Sequence, residues 1–336
     1  MLIITSIYPP ERCGVGDYTY NLLQTKEAAN WTLLYFKDWS LKTFFEKIKE
    51  INNYEDKWIN LQYPSIGYGD SILPHLLCIY FSMFSRKKIA ITIHEYTQYG
   101  WKGKAAMFVM LLFASKLIFT NNFERNAAIK VLSLVAQKSR VIKIFSNINS
   151  ATVIPTITDR QYDVGYFGYI APSKGIEDFL SVAENLKKEN PRLNCYIMGQ
   201  IQPVNEQYAN SIIQHAEKSG IEMFLNKEKQ DVAEILSRTK ITFLPFPDGI
   251  SERRGSFLAA VNNACIVVTT NGKFVTPALM HCCEITSISQ AANKISDILS
   301  DREKYDERQE KIKDYLRQEV PQSWSEVATQ YNDFLK

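Results

Sequence analysis

Apolar runs alternate with amphipathic stretches along the whole chain. Short apolar runs bounded by turn residues are typical of strands buried on both faces of a parallel sheet, whereas the stretches between them have helical spacing. The pattern predicts two series of strands, each forming a parallel sheet covered by helices, and therefore an α/β protein. The first series lies at residues 2–8, 31–36, 57–63, 89–95, 116–121 and 140–145, and the second at residues 162–168, 193–199, 221–225, 240–245, 265–270 and 282–286.

The division into domains follows from the same pattern. A segment rich in Asn, Ser, Thr and Pro at residues 147–160 separates the two series, and 336 residues exceed the size of one ordinary core. We expect an N-terminal domain at residues 1–150 and a second domain at residues 155–319. The charged tail after Asp301 is expected to be helical, and its last part, about residues 320–336, to pack back on the first domain.

Composition narrows the class of protein. The most apolar stretch, residues 105–114, ends well short of the roughly 20 apolar residues that span a bilayer. Met1 leads directly into a predicted strand without a basic leader. The six cysteines contain no Cys-x-x-Cys pair and fall mostly in apolar runs, which indicates buried, reduced thiols. We expect a cytoplasmic protein without a nucleic-acid partner.

Charge is unevenly distributed along the chain. Residues 1–150 contain 18 Lys and Arg against 11 Asp and Glu, a balance of +7, whereas the other residues have a balance of −4. Basic residues flank two apolar helices predicted at 72–84 and 105–114, and these are Arg86, Lys87, Lys88, Lys102 and Lys104. Two explanations stay open: peripheral contact with an anionic membrane, or core helices with solvated ends.

The most informative segment follows the predicted strand at 240–245. It contains Asp248, Glu252, Arg253 and Arg254, and a helix is predicted to begin at Gly255 and Ser256. Open α/β sheets bind ligands at the carboxyl ends of their strands, and helix N-termini and arginines favour anions. A solvated surface turn is the simpler alternative. Because similar features recur elsewhere, we favour a phosphate-binding loop.

Two further loops have the same strand, loop and helix plan. Gly14, Val15 and Gly16 follow the first strand, so backbone amides there can approach a bound group closely. Thr19 stands where a dinucleotide fingerprint has its third glycine, which weakens a nicotinamide interpretation. In the second domain, Lys174 lies before a predicted helix and is expected to meet phosphate as a point charge.

At these motifs the chain resembles the retaining glycosyltransferases of family 4. The similar segments are Tyr8-Pro9-Pro10 with Gly14 to Gly16, Thr92 to Glu95, Gly168 to Gly175, and Ser256 to Thr270. A narrower similarity, to bacterial enzymes that build surface polysaccharides, rests on Gln62-Tyr63-Pro64, Gly67-Tyr68-Gly69, Ser146-Asn147-Ile148 and Pro247 to Ser256. The resemblance implies the GT-B fold, in which two Rossmann-like domains have parallel sheets facing an interdomain cleft.

The resemblance also implies roles for individual residues. His94 and Glu252 would orient the donor sugar, with Asp248 as the alternative to Glu252. The donor diphosphate would contact the residues of the three loops, namely Gly14, Val15, Gly16, Lys174, Tyr169, Arg253, Arg254, Gly255 and Ser256. Two positions depart from the family pattern: Tyr169 replaces an arginine, and Ala260 replaces a second glutamate. No Asp-x-Asp pair occurs in the chain, so no metal and no cofactor are expected.

We therefore expect a retaining, metal-independent hexosyltransferase. It would move a sugar from a nucleotide-diphosphate donor, UDP being preferred by family frequency, to a saccharide acceptor that is expected to be lipid-linked. The expected context is surface polysaccharide synthesis, with possible peripheral contact with an anionic inner leaflet. Two alternatives stay open: a nucleotide-sugar epimerase of the same architecture, and a non-catalytic partner subunit of another transferase.

Overall fold

The continuous apolar runs form the strands of two parallel sheets in a computed structural model that describes residues 1–11 and 13–336. The chain divides into two units, of which unit 1 comprises residues 1–145 and 321–336 and unit 2 comprises residues 146–320. Each predicted strand is found, and each sheet has six parallel strands. The predicted α/β class is confirmed.

Unit 1 contains the first sheet, whose strand order is β2-β1-β3-β4-β5-β6. Its strands are β1 (Leu2–Thr5), β2 (Thr32–Tyr35), β3 (Trp58–Tyr63), β4 (Lys88–Ile93), β5 (Lys116–Phe119) and β6 (Ser139–Val141). Its first helices are α1 (Gly14–Leu23), α2 (Phe44–Asn52), α3 (Leu73–Met83), α4 (Trp101–Phe113), α5 (Asn122–Val131) and α6 (Val135–Lys138). Every residue of β1 and β3 is buried, as expected for strands covered on both faces.

Unit 2 contains the second sheet, in the order β12-β11-β10-β7-β8-β9. Its strands are β7 (Tyr162–Ile170), β8 (Cys195–Ile201), β9 (Glu222–Leu225), β10 (Thr239–Leu244), β11 (Ile266–Thr269) and β12 (Glu284–Ile285). Its helices are α7 (Ile176–Glu189), α8 (Glu206–Lys218), α9 (Lys229–Ser237), α10 (Gly255–Asn262), α11 (Pro277–Cys282), α12 (Ile288–Ser300) and α13 (Arg302–Glu319). Short 3-10 turns occur at Lys26–Ala28, Leu41–Thr43, Ile66–Tyr68, Ile157–Asp159 and Pro203–Asn205.

The last helix, α14 (Trp324–Phe334), packs in unit 1. Its residues Val327, Ala328 and Tyr331 are completely buried in a core cluster with Tyr18 and Ile118. The end of the chain therefore completes the hydrophobic core of the unit that begins with residue 1.

Helix α4 begins at Trp101 rather than at the predicted Ala105. Lys102 and Lys104 consequently lie inside the helix and not before it. The glycine between them has a packing role, because a Cβ atom at Gly103 would lie 2.5 Å from the Tyr99 ring. The sequence pattern missed this first turn because Gly103 and the two lysines interrupt the apolar run.

All six cysteines are free and buried, as the sequence predicted. None of the helices in residues 1–11 and 13–336 combines the length and hydrophobicity needed to cross a bilayer.

Candidate functional site

The candidate site of unit 2 lies where the strand order of its sheet changes direction. Strands β8 and β9 follow β7 on one side, whereas β10, β11 and β12 extend on the other side. The loops after β7 and β10 therefore leave neighbouring strands toward opposite faces of the sheet. Open α/β sheets bind ligands at such a switch point, outside the carboxyl ends of the strands.

Close backbone contacts join the loops at this edge. Gly175 has a φ of +79°, and a Cβ atom there would lie 1.9 Å from the carbonyl oxygen of Pro245. Gly249, with a φ of +81°, and Gly272 abut in the same way, because a Cβ atom on Gly249 would lie 2.4 Å from the Cα atom of Gly272. Only glycine allows these approaches, so the loops after β7, β10 and β11 form one packed surface.

Arg254 is held by its own loop. Its Nη2 atom donates to a carboxylate oxygen of Asp248 and, at 3.4 Å, to the carbonyl oxygen of Gly249. The guanidinium also lies 4.4 Å from the ring centroid of Phe246. The loop thus brings together the predicted residues Asp248 and Arg254, and it fixes the guanidinium before any ligand binds.

Arg253 and Glu252 contact the next loop of the sheet. The Arg253 guanidinium lies 5.5 Å from the ring centroid of Phe274. The Glu252 carboxylate accepts a hydrogen bond of 2.9 Å from the hydroxyl of Thr276, which is the N-cap residue of α11. Both residues predicted from the sequence therefore stand at the junction of the β10 and β11 loops.

The N-terminus of α10 suits an anion better than that of α7. Helix α10 begins at Gly255, its N-cap side chain makes no capping hydrogen bond, and its first turn contains no acidic residue. Helix α7 has Glu177 and Asp178 in its first turn, where they oppose a second negative charge. Gly255 is exposed and Ser256 is partly exposed. The first amides of α10 are therefore the better candidates for phosphate contact.

Lys174 and Tyr169 occupy different parts of the β7 edge. Tyr169 lies within β7 and is 37% exposed, so it belongs to the strand and not to the loop in which it was predicted. Lys174 is exposed in the loop, whose backbone is held by a hydrogen bond of 3.2 Å from the Tyr166 hydroxyl to the Lys174 carbonyl oxygen. Ser173 has a φ of +61°, a conformation that non-glycine residues adopt at a cost of about 1–2 kcal/mol.

Arg160, in the linker, is a buried arginine of unit 2. Arg160 donates to the carbonyl oxygens of Thr239 and Ala264 at 2.8 and 2.7 Å. It also lines an open cavity of about 910 Å³ that Arg302, Asp306 and other residues of α13 border. These contacts attach the linker to the sheet, and none of the predicted site residues lines this cavity.

The glycine loop of unit 1 has one open and one crowded position. Among residues 1–11 and 13–336, a Cβ atom on Gly14 would meet nothing within 4 Å, whereas a Cβ atom on Gly16 would lie 2.9 Å from the carbonyl oxygen of Ile7. Gly14 and Val15 begin α1, with Val15 partly exposed. Gly16 therefore serves packing against the end of β1, and Gly14 is the glycine that leaves room for a ligand.

His94 lies at the carboxyl end of β4. Its backbone N–H donates to the carbonyl oxygen of Tyr63 at 2.8 Å, which extends the pairing of β3 and β4. Its Nε2 atom lies 2.8 Å from Oε1 of Gln62, and its ring packs edge-on against Tyr18 at a centroid distance of 4.9 Å. His94 is partly exposed, and its contact with Gln62 fixes the Nε2 side of the imidazole.

Part of the chain is similar to a known family of transferases. Residues 152–318 match the family model described as "Glycosyl transferases group 1". The matched range covers most of unit 2. The matched range contains every unit 2 residue that the sequence analysis assigned to the donor. No curated protein sequence matches the chain.

Solved structures show the fold of the whole chain. HepE of Anabaena, solved with UDP and glucose, has a TM-score of 0.71 at 11% identity and covers 99% of this chain and 98% of its own. A glycosyltransferase of Rickettsia africae has a TM-score of 0.70 at 12% identity, covering 100% and 98%. Sucrose-phosphate synthase of Thermosynechococcus elongatus has a TM-score of 0.69 at 14% identity, covering 99% and 97%. The chain has the GT-B fold, which confirms the predicted resemblance to GT-B glycosyltransferases.

Three residues of unit 2 that contact the predicted loop residues were not predicted from the sequence, and these are Thr276, Tyr166 and Phe246. In unit 1, Gln62 was not predicted as the partner of His94. A signal for Gln62 was present, because Asn60, Gln62 and Thr92 are polar residues inside otherwise apolar strands. Completely buried polar side chains normally have hydrogen-bond partners.

The two acidic side chains of the β10 loop, Asp248 and Glu252, contact other protein groups. Asp248 pairs with Arg254, and Glu252 accepts from Thr276. Across residues 1–11 and 13–336, no group of three or more His, Cys, Asp and Glu side chains is placed to hold a metal ion.

Proposed function

We propose that this protein is a glycosyltransferase that uses a nucleotide-diphosphate sugar as its donor. The observation that carries the proposal is the position of Arg253 and Arg254 directly before the N-terminus of α10, at the switch point of the second sheet. This position lies within the range that matches the group 1 glycosyl transferase model. A preorganised guanidinium and the first amides of a helix without a side-chain cap are suited to a diphosphate. UDP is the preferred nucleotide, and the fold that the chain shares with HepE, which was solved with UDP-glucose, supports this choice.

The diphosphate would contact Arg253, Arg254, Lys174 and the first amides of α10. Positive groups held in place before the reaction stabilise the charge that develops on the leaving diphosphate. We therefore propose a reaction without a metal ion and without a cofactor. Gly14, Val15 and Gly16 of unit 1 are proposed to add backbone amides to the same diphosphate.

The donor sugar would be oriented by His94 and by Glu252, with Asp248 as the alternative to Glu252. Both carboxylates already contact the protein, because Asp248 pairs with Arg254 and Glu252 accepts from Thr276. In the proposed reaction the bond from the anomeric carbon to the phosphate oxygen breaks, and a bond from that carbon to the acceptor oxygen forms on the same face. Because the new bond forms on the face that the phosphate leaves, the configuration is retained. The acceptor proton passes to the departing phosphate.

The acceptor is proposed to be a lipid-linked saccharide used in surface polysaccharide synthesis. Ile66, Ile72 and Trp101 are exposed, and they lie in the loops and helix starts that follow β3 and β4. Lys102 and Lys104 lie beside Trp101. We call these five residues, at the carboxyl edge of the first sheet, the lipid-facing edge. We propose that the lipid-facing edge contacts an anionic membrane through its apolar and basic side chains.

A donor panel tests the proposal directly. UDP-, GDP- and ADP-sugars would be added to the protein, and thermal unfolding would be recorded. A donor at about 100 times its dissociation constant adds about 2.7 kcal/mol to the free energy of unfolding. The donor that stabilises most would then be incubated with lipid-linked acceptors, with and without EDTA. We expect transfer with retained configuration that EDTA leaves unchanged.

The same experiment separates the alternatives. Conversion of the donor without any acceptor would favour a nucleotide-sugar epimerase. A donor that binds but stays intact with all acceptors would favour a non-catalytic partner subunit, which the replacements at Ala260 and Tyr169 motivate. Loss of activity in EDTA with rescue by Mg²⁺ or Mn²⁺ would refute the metal-independent mechanism.

A further inference from the structure

Six side chains of unit 1 form a continuous chain of polar contacts that begins at His94. Five of the six are buried, and Asn60, Gln62, Thr92 and Tyr331 have no exposed surface. His94 Nε2 lies 2.8 Å from Gln62 Oε1, and Gln62 Nε2 lies 2.5 Å from Asn60 Oδ1. Asn60 Nδ2 lies 3.0 Å from Thr92 Oγ1. The Tyr331 hydroxyl lies 2.9 Å from Thr92 Oγ1 and 2.9 Å from the Tyr18 hydroxyl. We call this set the His94 chain.

Each member of the His94 chain can donate to the next one. An amide nitrogen only donates and an amide oxygen only accepts, so the orientations of Gln62 and Asn60 set one direction. Thr92 accepts from Asn60 and can donate to Tyr331, which in turn can donate to Tyr18. The first step then requires a proton on Nε2 of His94, because Oε1 of Gln62 has none to give.

The His94 chain closes on its starting residue. Tyr18, the last member, packs its ring edge-on against the His94 imidazole at a centroid distance of 4.9 Å and an interplanar angle of 81°. Burial raises the pKa of Tyr331 to about 12, so its hydroxyl keeps the proton that it donates. The chain therefore constrains both the proton position and the plane of the ring.

We propose that Gln62 and Tyr331 are positioning residues that hold neutral His94 in a single tautomer, with the proton on Nε2. Tyr331 belongs to α14, so the last helix of the chain sets the state of a residue in the candidate active site. The inference deepens the proposed function, and it rests on that function where His94 is assigned to the donor sugar.

Nitrogen-15 NMR of protein labelled at histidine tests the tautomer without any substrate. His94 would be assigned by comparison with a His94→Ala variant, and the spectra recorded where imidazole is neutral. We expect a proton on Nε2 only, in slow exchange with solvent. In Gln62→Leu the exchange should be faster by about 10-fold, the effect of losing one hydrogen bond. Tyr331→Phe should have a smaller effect, because Thr92 can still donate to Asn60 Oδ1 at 3.2 Å.

Tyr196→Phe is the matched control. Tyr196 is completely buried in unit 2, and its hydroxyl lies 2.9 Å from Oγ1 of Thr239, so the variant loses a similar contact outside the His94 chain. It should leave the His94 signals unchanged. A proton on Nδ1 in the unmodified protein, or unchanged exchange in a folded Gln62→Leu variant, would overturn the proposal.

Kinetics would then show whether the constraint matters for catalysis. With an active donor and acceptor pair, Gln62→Leu should lower kcat by about 10-fold while the KM for the donor changes less. If no pair gives transfer, the proposed function fails while the NMR result still decides on the tautomer. If transfer occurs and kcat and KM are unchanged in Gln62→Leu, the positioning role is wrong and the transferase assignment stands.

Discussion

Arg254 and Lys174 offer different chemistry to a diphosphate. The Arg254 guanidinium is fixed by Asp248, Gly249 and Phe246, whereas Lys174 is an exposed point charge. We predict that Arg254→Ala and Lys174→Ala each lower kcat/KM for the donor by about 30- to 1,000-fold, the loss of about 2–4 kcal/mol of transition-state stabilisation. Arg254→Lys should recover only part of the lost kcat/KM, because an ammonium group cannot donate two parallel hydrogen bonds to a phosphate as a guanidinium does.

The control for these variants is Lys218→Ala, which removes an exposed charge at the end of α8. It should leave both kcat/KM and the melting temperature unchanged. Near-normal turnover by Arg254→Ala and Lys174→Ala would contradict the proposal that these side chains bind the donor diphosphate.

Gly14 and Gly16 should respond in opposite ways to the same substitution. Gly14→Ala meets no atom of the described part of the chain within 4 Å, and alanine favours helix α1. We therefore predict a free energy of unfolding that is unchanged or raised by up to about 1 kcal/mol. Gly16→Ala places Cβ 2.9 Å from the Ile7 carbonyl oxygen and should lower the melting temperature. Donor binding measured by calorimetry should weaken in the stable Gly14→Ala variant. Unaltered donor binding in the Gly14→Ala variant would show that this loop does not contact the donor.

The sequence could indicate which residues stand at the site but not how they are paired. Arg253, Arg254 and Lys174 were identifiable because their positions after apolar strands imply one edge of a sheet. The contact of Glu252 with Thr276 depends on two loops meeting in space across 24 residues of chain, and no local pattern encodes it. Its prediction requires the close approach of Gly249 and Gly272, which becomes visible only in the fold.

At the scale of elements, the strands were predictable and one helix boundary was not. Strands buried on both faces are mostly continuous apolar runs, so β1 and β11 stand out from their amphipathic surroundings. The start of α4 was missed because its first turn contains Gly103 and two lysines, which resemble a loop. The partners of the buried polar residues were also unpredictable, because the Thr92 contact with Tyr331 joins β4 to a helix 239 residues later.

Helix α14 should determine the stability of unit 1. Val327 is completely buried, whereas Thr329 on the same helix is exposed. We predict that Val327→Asp lowers the free energy of unfolding of unit 1 by several kcal/mol, since the carboxylate enters an apolar core. Thr329→Asp adds the same charge to the same helix and should cost no more than about 0.5 kcal/mol.

Hydrogen exchange would localise the effect of these two variants. Amides of β4 in unit 1 should lose protection in Val327→Asp, and amides of β10 in unit 2 should keep it. Equal loss in both sheets would show that α14 does not act on unit 1 alone.

At the scale of the whole chain, the basic residues of the first half form two separate groups. Arg86, Lys87 and Lys88 lie where β4 begins, whereas Lys102 and Lys104 follow its carboxyl end. The six residues of β4 separate these positions by about 20 Å. The ammonium group of Lys87 is also hydrogen-bonded within the protein, because its Nζ atom donates to the carbonyl oxygens of Tyr54 and Asp56.

The lipid-facing edge should therefore be distinguishable from the opposite edge by charge reversal. We predict that the protein sediments with anionic liposomes at low salt, and less so at high salt or with neutral liposomes, because surface charges are screened within about 8–10 Å. A Lys102→Glu and Lys104→Glu double variant should bind at least about 30-fold more weakly, since each basic residue at an anionic surface contributes about 1 kcal/mol. Trp101→Ser, which removes a side chain that is 77% exposed, should weaken binding at every salt concentration.

An Arg86→Glu and Lys88→Glu double variant is the matched control, because it changes the net charge equally at the opposite edge of the sheet. It should retain most of the binding, since a lipid-linked acceptor has to reach the carboxyl edge, where open α/β sheets bind their ligands. If this control loses binding and the Lys102 and Lys104 variant keeps it, the membrane contact lies at the wrong edge for the proposed acceptor. Equal sedimentation with anionic and neutral liposomes would exclude the electrostatic contact and leave the glycosyltransferase proposal to the donor panel.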